Sequence, residues 1–130
     1  MTQPPTPPTP TQTIDTGTAL VPGARREGDA VVASVRGEID LHNSPEIRKA
    51  LLNVLVVDPI PQRLVLNLEQ VPYMDSSAIA VLVETLRKVQ RGGGKVYLTN
   101  LQPRVKGLLE IARLNSIFVI AATEEEALKK

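Results

Sequence analysis

With 130 residues and 42% apolar side chains, the chain has room for one ordinary core plus a tail. Fifteen basic residues against fourteen acidic leave a net charge of +1, and Tyr73, Tyr97 and Phe118 are its aromatics. That balance offers no general attraction to a polyanion and no stacking platforms, so neither nucleic acid nor an anionic membrane is expected as a partner. Cysteine is absent and His42 is the one histidine, which removes disulfides, thiol nucleophiles and multi-histidine metal sites. With no visible signal peptide and no apolar run long enough to span a bilayer, a soluble cytoplasmic protein is the expectation.

Residues 1–15 read as a flexible Pro/Thr-rich tail ahead of a single domain over residues 16–130. Pro4, Pro5, Pro7, Pro8 and Pro10 alternate with Thr and Gln, and such a segment cannot bury enough surface to offset its ordering entropy. A solvated tail is expected, with a ligand for a proline-binding module as the alternative.

Residues 18–24 are predicted as a first strand, followed by a turn at Arg26-Glu27-Gly28-Asp29 and a β-branched second strand over residues 30–35. Ser44-Pro45-Glu46 predicts a helix start, with Ser44 as N-cap and proline at the first helical position. Ile47, Leu51, Val54 and Leu55 continue it at helical spacing, and Asp58-Pro59-Ile60-Pro61 must end it. Leu64-Val65-Leu66-Asn67-Leu68 suits a central strand covered on its faces. A second helix is predicted from Ser76, with Ile79, Leu82, Val83, Leu86 and Val89 as its apolar stripe. Gly92-Gly93-Gly94 stops it. Residues 95–99 form another strand, and residues 103–114 a helix burying Val105, Leu108, Leu109 and Ala112. A last strand over residues 117–120 precedes a short helix capped at Thr123. The order β-β-α-β-α-β-α-β-α predicts an α/β domain with a mainly parallel or mixed sheet and about four helices.

The segment with the most chemistry is Val71-Pro72-Tyr73-Met74-Asp75-Ser76-Ser77-Ala78-Ile79-Ala80, an acid and two hydroxyls where a loop enters a helix. Capping accounts for one of them, because Asp and Ser are the best N-cap residues, but one side chain suffices for a cap. The functional reading is a phosphoacceptor. A phosphate on a first-turn serine would face free backbone N–H groups and the positive end of the helix dipole, and would add about −1.5 to −2 charges beside Asp75. Repulsion of a docked partner, with the fold intact, is the expected consequence.

Arg36-Gly37-Glu38-Ile39-Asp40, Leu66-Asn67-Leu68, Met74-Asp75-Ser76-Ser77 and Gly93-Gly94-Lys95-Val96, in that order and spacing, resemble the STAS domain of anti-sigma factor antagonists. The resemblance runs over residues 18–128 and implies a STAS-like fold and a partner-switching regulator without catalytic residues, metal or cofactor. It implies that the unphosphorylated form binds an anti-sigma factor serine kinase and frees a sigma factor. The kinase then phosphorylates Ser76, and a serine phosphatase restores it. Asp40, Asp75, Ser77 and Ala78 are carried over as partner-binding positions. The family commonly has Gly-Leu-Gly where this chain has Ala78-Ile79-Ala80, a departure that adds methyl groups where a partner's backbone would approach.

That departure motivates an alternative with the same fold, an accessory subunit of a transporter ATPase or of a stress-signalling complex. A serine hydrolase using Ser76 has less behind it, with one histidine and no evident carboxylate–histidine–serine layout; His42 with Asp40 and Ser44 sits close around one helix entry and reads as a solvated or capping histidine, and nothing resembles a nucleophile elbow. Gly92-Gly93-Gly94 ends a helix instead of opening one, unlike a phosphate-binding loop. Arg104, Lys106 and Arg113 read as a solvated face.

Overall fold

A computed structural model describes residues 12–56 and 60–129. Six strands and four helices alternate along it: β1 (Gln12–Ile14), β2 (Gly23–Glu27), β3 (Ala30–Arg36), α1 (Ser44–Val54), β4 (Arg63–Gln70), α2 (Ser76–Arg91), β5 (Lys95–Thr99), α3 (Pro103–Ile111), β6 (Val119–Ala121) and α4 (Glu124–Lys129). The strands lie side by side in sequence order. Pairing is antiparallel from β1 to β3 and parallel from β3 to β6, the mixed α/β sheet that the alternation predicts.

A sheet whose parallel strands follow in sequence order, joined by right-handed crossovers, collects its crossover helices on one face. The larger core lies there. Val31, Ala33, Val35, Leu64, Leu66, Leu68, Val96 and Leu98 meet Ile47, Leu51 and Val54 of α1, Leu82, Leu86 and Val89 of α2, and Val105 and Leu109 of α3. The alternate strand positions point to the opposite face. There Val32, Val65, Tyr97 and Ala121 are covered by Ala127 of α4. Arg63 fastens that helix, its Nη1 donating to the Ala127 and Leu128 carbonyls at 3.3 and 2.8 Å. Arg25 and Asn67 both donate to Glu124 at the other end of α4.

The glycine run between α2 and β5 has a stricter job than ending a helix. Gly93 takes φ +84, its N–H donates to the Gln90 carbonyl, and the Gly94 N–H donates to the Val89 carbonyl at 2.9 Å. These two bonds close the helix in a Schellman motif. A Cβ on Gly94 would stand 2.8 Å from Val89 Cγ1 and 2.9 Å from the Gln62 carbonyl, so the backbone itself leaves no room.

Several expectations are corrected. The predicted strand over residues 18–24 is two features: residues 18–22 fold on themselves, Thr16 Oγ1 bonding the carbonyls of Thr18 and Val21, and the strand begins at Gly23. A strand at Gln12–Ile14, inside the stretch read as tail, pairs with β2. In α1 the N-cap is Asn43 and not Ser44, which is buried in the first turn with Pro45 after it. Ala112 lies beyond α3 and is exposed, because the helix closes at Ile111 through a left-handed Arg113 (φ +58). The rest of the proline-rich tail, with Pro4 to Pro10, and the Asp58-Pro59 helix stop lie outside the described residues. Among the described residues no helix is long and apolar enough to cross a membrane.

Candidate functional site

β3 and β4 end beside each other, and the segments leaving them stay paired. Gly37 (φ +92) turns the chain and donates its N–H to the Gln70 carbonyl at 2.8 Å. The Ile39 N–H then donates to the Tyr73 carbonyl and the Asp75 N–H to the Ile39 carbonyl, each at 3.0 Å. Ile39 and Met74 form a parallel bridge with both side chains buried. A short extension of the sheet thus brings Asp40 and Asp75 side by side at the mouth of α2.

Each carboxylate holds backbone. Asp40 Oδ1 accepts from the N–H groups of His42 (2.9 Å) and Asn43 (3.1 Å), while Asn43 Nδ2 donates to the Glu38 carbonyl at 2.7 Å. These bonds brace residues 38–43 in part, with Asp40 and His42 exposed on the loop. Asp75 is the N-cap of α2: its Oδ1 accepts from the N–H groups of Ser77 (2.9 Å) and Ala78 (3.3 Å) and from the Ser77 hydroxyl. Its Oδ2 accepts the Leu41 N–H at 3.1 Å. These donors, the Ser77 hydroxyl foremost, hold the Asp75 carboxyl below the usual aspartate range against a smaller opposing effect of desolvation.

The two serines differ for this reason. Ser77 is half-buried and its proton is engaged by Asp75, whereas Ser76 is exposed and its hydroxyl makes no hydrogen bond among the described residues. Helical spacing places Ser76, Ala80, Val83, Arg87 and Arg91 on one outward line of α2.

Three features modify what the sequence implies. Ala78 is 1% exposed and faces the core, so it is not a surface contact; of the Ala-Ile-Ala departure, only Ala80 is fully on the outside and Ile79 half so. The Ser77 and Ala78 N–H groups, expected to be open to a phosphate, are already bonded to Asp75. Leu41 is 76% exposed at the edge of the site. Sequence reading passed over it because it stands between turn-forming polar residues, although an aliphatic side chain inside Asp40-Leu41-His42-Asn43 was itself the signal. Tyr73, half-buried on the segment that leads into α2, has the Arg104 guanidinium 4.5 Å from its ring centroid.

The STAS domain family model matches residues 22–127. The chain belongs to the STAS domain family. Among relatives, the anti-sigma-B factor antagonist of Bacillus subtilis is 34% identical over 104 residues, covering 78% of this chain and 89% of that protein. Among solved structures, a putative anti-sigma factor antagonist from Thermotoga maritima superposes with a TM-score of 0.75 at 23% identity, over 82% of this chain and 90% of the other. The Bacillus cell fate determinant SpoIIAA in its phosphorylated form gives 0.60 at 23% identity, over 92% and 97%. In this STAS domain, the strand–loop–helix passage that carries Asp75 and Ser76 lies inside the matched region.

Proposed function

We propose that this STAS domain is an anti-sigma factor antagonist with Ser76 as its phosphoacceptor, acting in the cytoplasm. In the unphosphorylated state, the mouth of α2 docks an anti-sigma factor serine kinase and a sigma factor is released. Asp40, Asp75, Ser76 and Leu41 form the contact, with Ile79 and Ala80 in the first turns of the helix. The kinase transfers the γ-phosphoryl group of ATP to Ser76 Oγ: the Oγ–P bond forms, the bond to the β-phosphate oxygen breaks, ADP leaves, and the hydroxyl proton passes to a base of the kinase. The new dianion stands next to Asp75 and close to Asp40, and like charges at a docked surface expel the partner. A serine phosphatase resets the switch by hydrolysis.

The observation that carries this reading is the division of labour between neighbours. Asp75 does the capping, so Ser76 is left outward and unengaged. The names of the relatives support the same reading. Incubation with an anti-sigma factor kinase and ATP, followed by phosphate mapping by mass spectrometry, tests it. Stoichiometric modification of Ser76 is expected; modification elsewhere with Ser76 untouched overturns it.

A second reading, an accessory subunit of a transporter ATPase or stress-signalling assembly, is favoured by Ala80, whose methyl group lies on the docking side of the helix. Co-purification of a transporter ATPase in place of an anti-sigma kinase would select it.

A further inference from the structure

The outward face of α2 is electrically bipolar. At its amino end stand Asp75 and, from the neighbouring loop, Asp40; at its carboxyl end stand Arg87, Lys88 and Arg91, all exposed. Glu84 is the one acid on this helix; Arg48 holds it, and Lys88 one turn on adds a weaker attraction. Arg48 of α1 grips it with both arms, Nε to Oε2 and Nη2 to Oε1, each at 2.7 Å. Arg87 and Arg91 form no ion pair among the described residues. Between the two ends lie Ile79 and Val83, half-buried, and the small Ala80, which together with Ser76, Glu84 and the cations line a shallow groove along the helix.

We propose that Arg87, Lys88 and Arg91 anchor a carboxylate-bearing segment of the protein partner, at the far end of the groove whose near end carries Ser76. The proposal rests on the reading that the mouth of α2 meets a protein. A uniform polyanion, whether duplex DNA or an anionic bilayer, would gain at the cations and be repelled by Asp40 and Asp75 at the other end. A protein segment with its acids at one end and its aliphatic side chains in the middle meets no such conflict. A second copy of this chain, laid antiparallel, would also set acids against cations, but Ile79, Ala80 and Val83 would be its apolar contact from each helix, few beside the roughly 20–30 residues a side of a stable interface.

The charges at the two ends of the groove are largely screened from each other. Eleven residues of helix place Arg87 about 16 Å from Ser76, about twice the screening length of roughly 8 Å at physiological salt. A phosphate on Ser76 therefore leaves the anchor charged. The cations keep a local hold and steer re-encounter, while the switch decides whether the mouth closes on the partner.

The test uses the full chain, isotope-labelled, titrated by NMR with a synthetic amphipathic peptide carrying leucines on one stripe and three glutamates at one end. Amide shifts centred on residues 83–91 are expected, with affinity falling as salt rises. Arg87→Glu/Arg91→Glu should weaken binding at least about tenfold, a loss of about 1.4 kcal/mol, at an unchanged circular dichroism spectrum. Equal binding of a lysine-for-glutamate peptide, or an unaffected Arg87→Glu/Arg91→Glu variant, overturns the proposal. So does tighter binding to phosphatidylserine vesicles or duplex DNA than to the peptide, or a concentration-dependent dimer broken by the same substitutions. Peptide binding at these cations in a protein whose Ser76 no kinase modifies would sink the functional reading and leave the anchor standing; the reverse pattern would do the opposite.

Discussion

The Leu41 N–H donates to Asp75 Oδ2 at 3.1 Å, while Oδ1 of the same carboxylate caps α2. One side chain thus ties the loop bearing an exposed leucine to the helix bearing an exposed serine, and fixes the spacing of the surface between them. Asp75→Ala should release both at once. The expected result is a melting temperature lower by several degrees, together with faster hydrogen exchange at the Leu41, Ser77 and Ala78 amides. Unchanged exchange at Leu41 would show that the loop holds itself.

The same bonds set a pH dependence. The Asp75 carboxyl is held below the ordinary aspartate range by the Ser77 hydroxyl first and by the Ala78, Ser77 and Leu41 N–H groups. A carboxyl whose folded value is depressed stabilises the fold in full above its unfolded value, and that contribution is lost as pH falls through the folded one. Stability should therefore be flat with respect to this group near neutrality and decline below about pH 4, where unfolded aspartate titrates. In Asp75→Asn, which still caps, the acid limb of a denaturant-midpoint profile should be shallower. An identical profile would remove Asp75 from the acid transition.

The neighbouring serines should separate cleanly. Ser76→Ala removes an exposed hydroxyl with no partner among the described residues, and stability should stay within about 0.5 kcal/mol. Ser77→Ala removes a half-buried donor to a carboxylate and should cost about 1 kcal/mol. Chemical denaturation of the pair decides; a larger loss at Ser76 than at Ser77 would mean that the roles are exchanged.

Between α2 and β5, two glycines of one run should respond differently to the same methyl group. In Gly94→Ala the new Cβ meets the Gln62 carbonyl and Val89 at under 3 Å, and overpacking of this kind costs about 1–3 kcal/mol. In Gly92→Ala it meets the Ile60 side chain at 3.2 Å, at φ −86, and that side chain can yield. Thermal melts should therefore order the variants wild type, Gly92→Ala, Gly94→Ala, and an inverted order would contradict this account of the turn.

Where burial and periodicity coincide, the fold was legible in the sequence. Leu64, Leu66 and Leu68 alternate with Val65 in β4, α2 begins at Ser76, and β5 is the stretch from Lys95 to Thr99. The misses share a cause. Gln12–Ile14 is a strand because β2 offers it an edge, and no local pattern announces that. The entry to α1 is organised by Asp40, whose carbonyl accepts the Ser44 N–H and whose carboxylate accepts from His42 and Asn43, so reading the nearest hydroxyl as the cap misplaced it by one residue. At the site, the sequence shows an acid and two serines but not which of them does the capping. That assignment follows from the backbone direction at Asp75, and with it Ala78 turns inward and Ser76 outward.

The most direct measurement of the central claim is quantitative capture of an anti-sigma factor kinase by wild-type, Ser76→Ala and Ser76→Asp baits. Wild type and Ser76→Ala should capture it equally. Ser76→Asp should lose at least about tenfold, a difference of about 1.4 kcal/mol, while its far-UV circular dichroism matches wild type. Equal capture by all three baits, or a Ser76→Asp protein that has lost its fold, would contradict a surface switch at the mouth of α2.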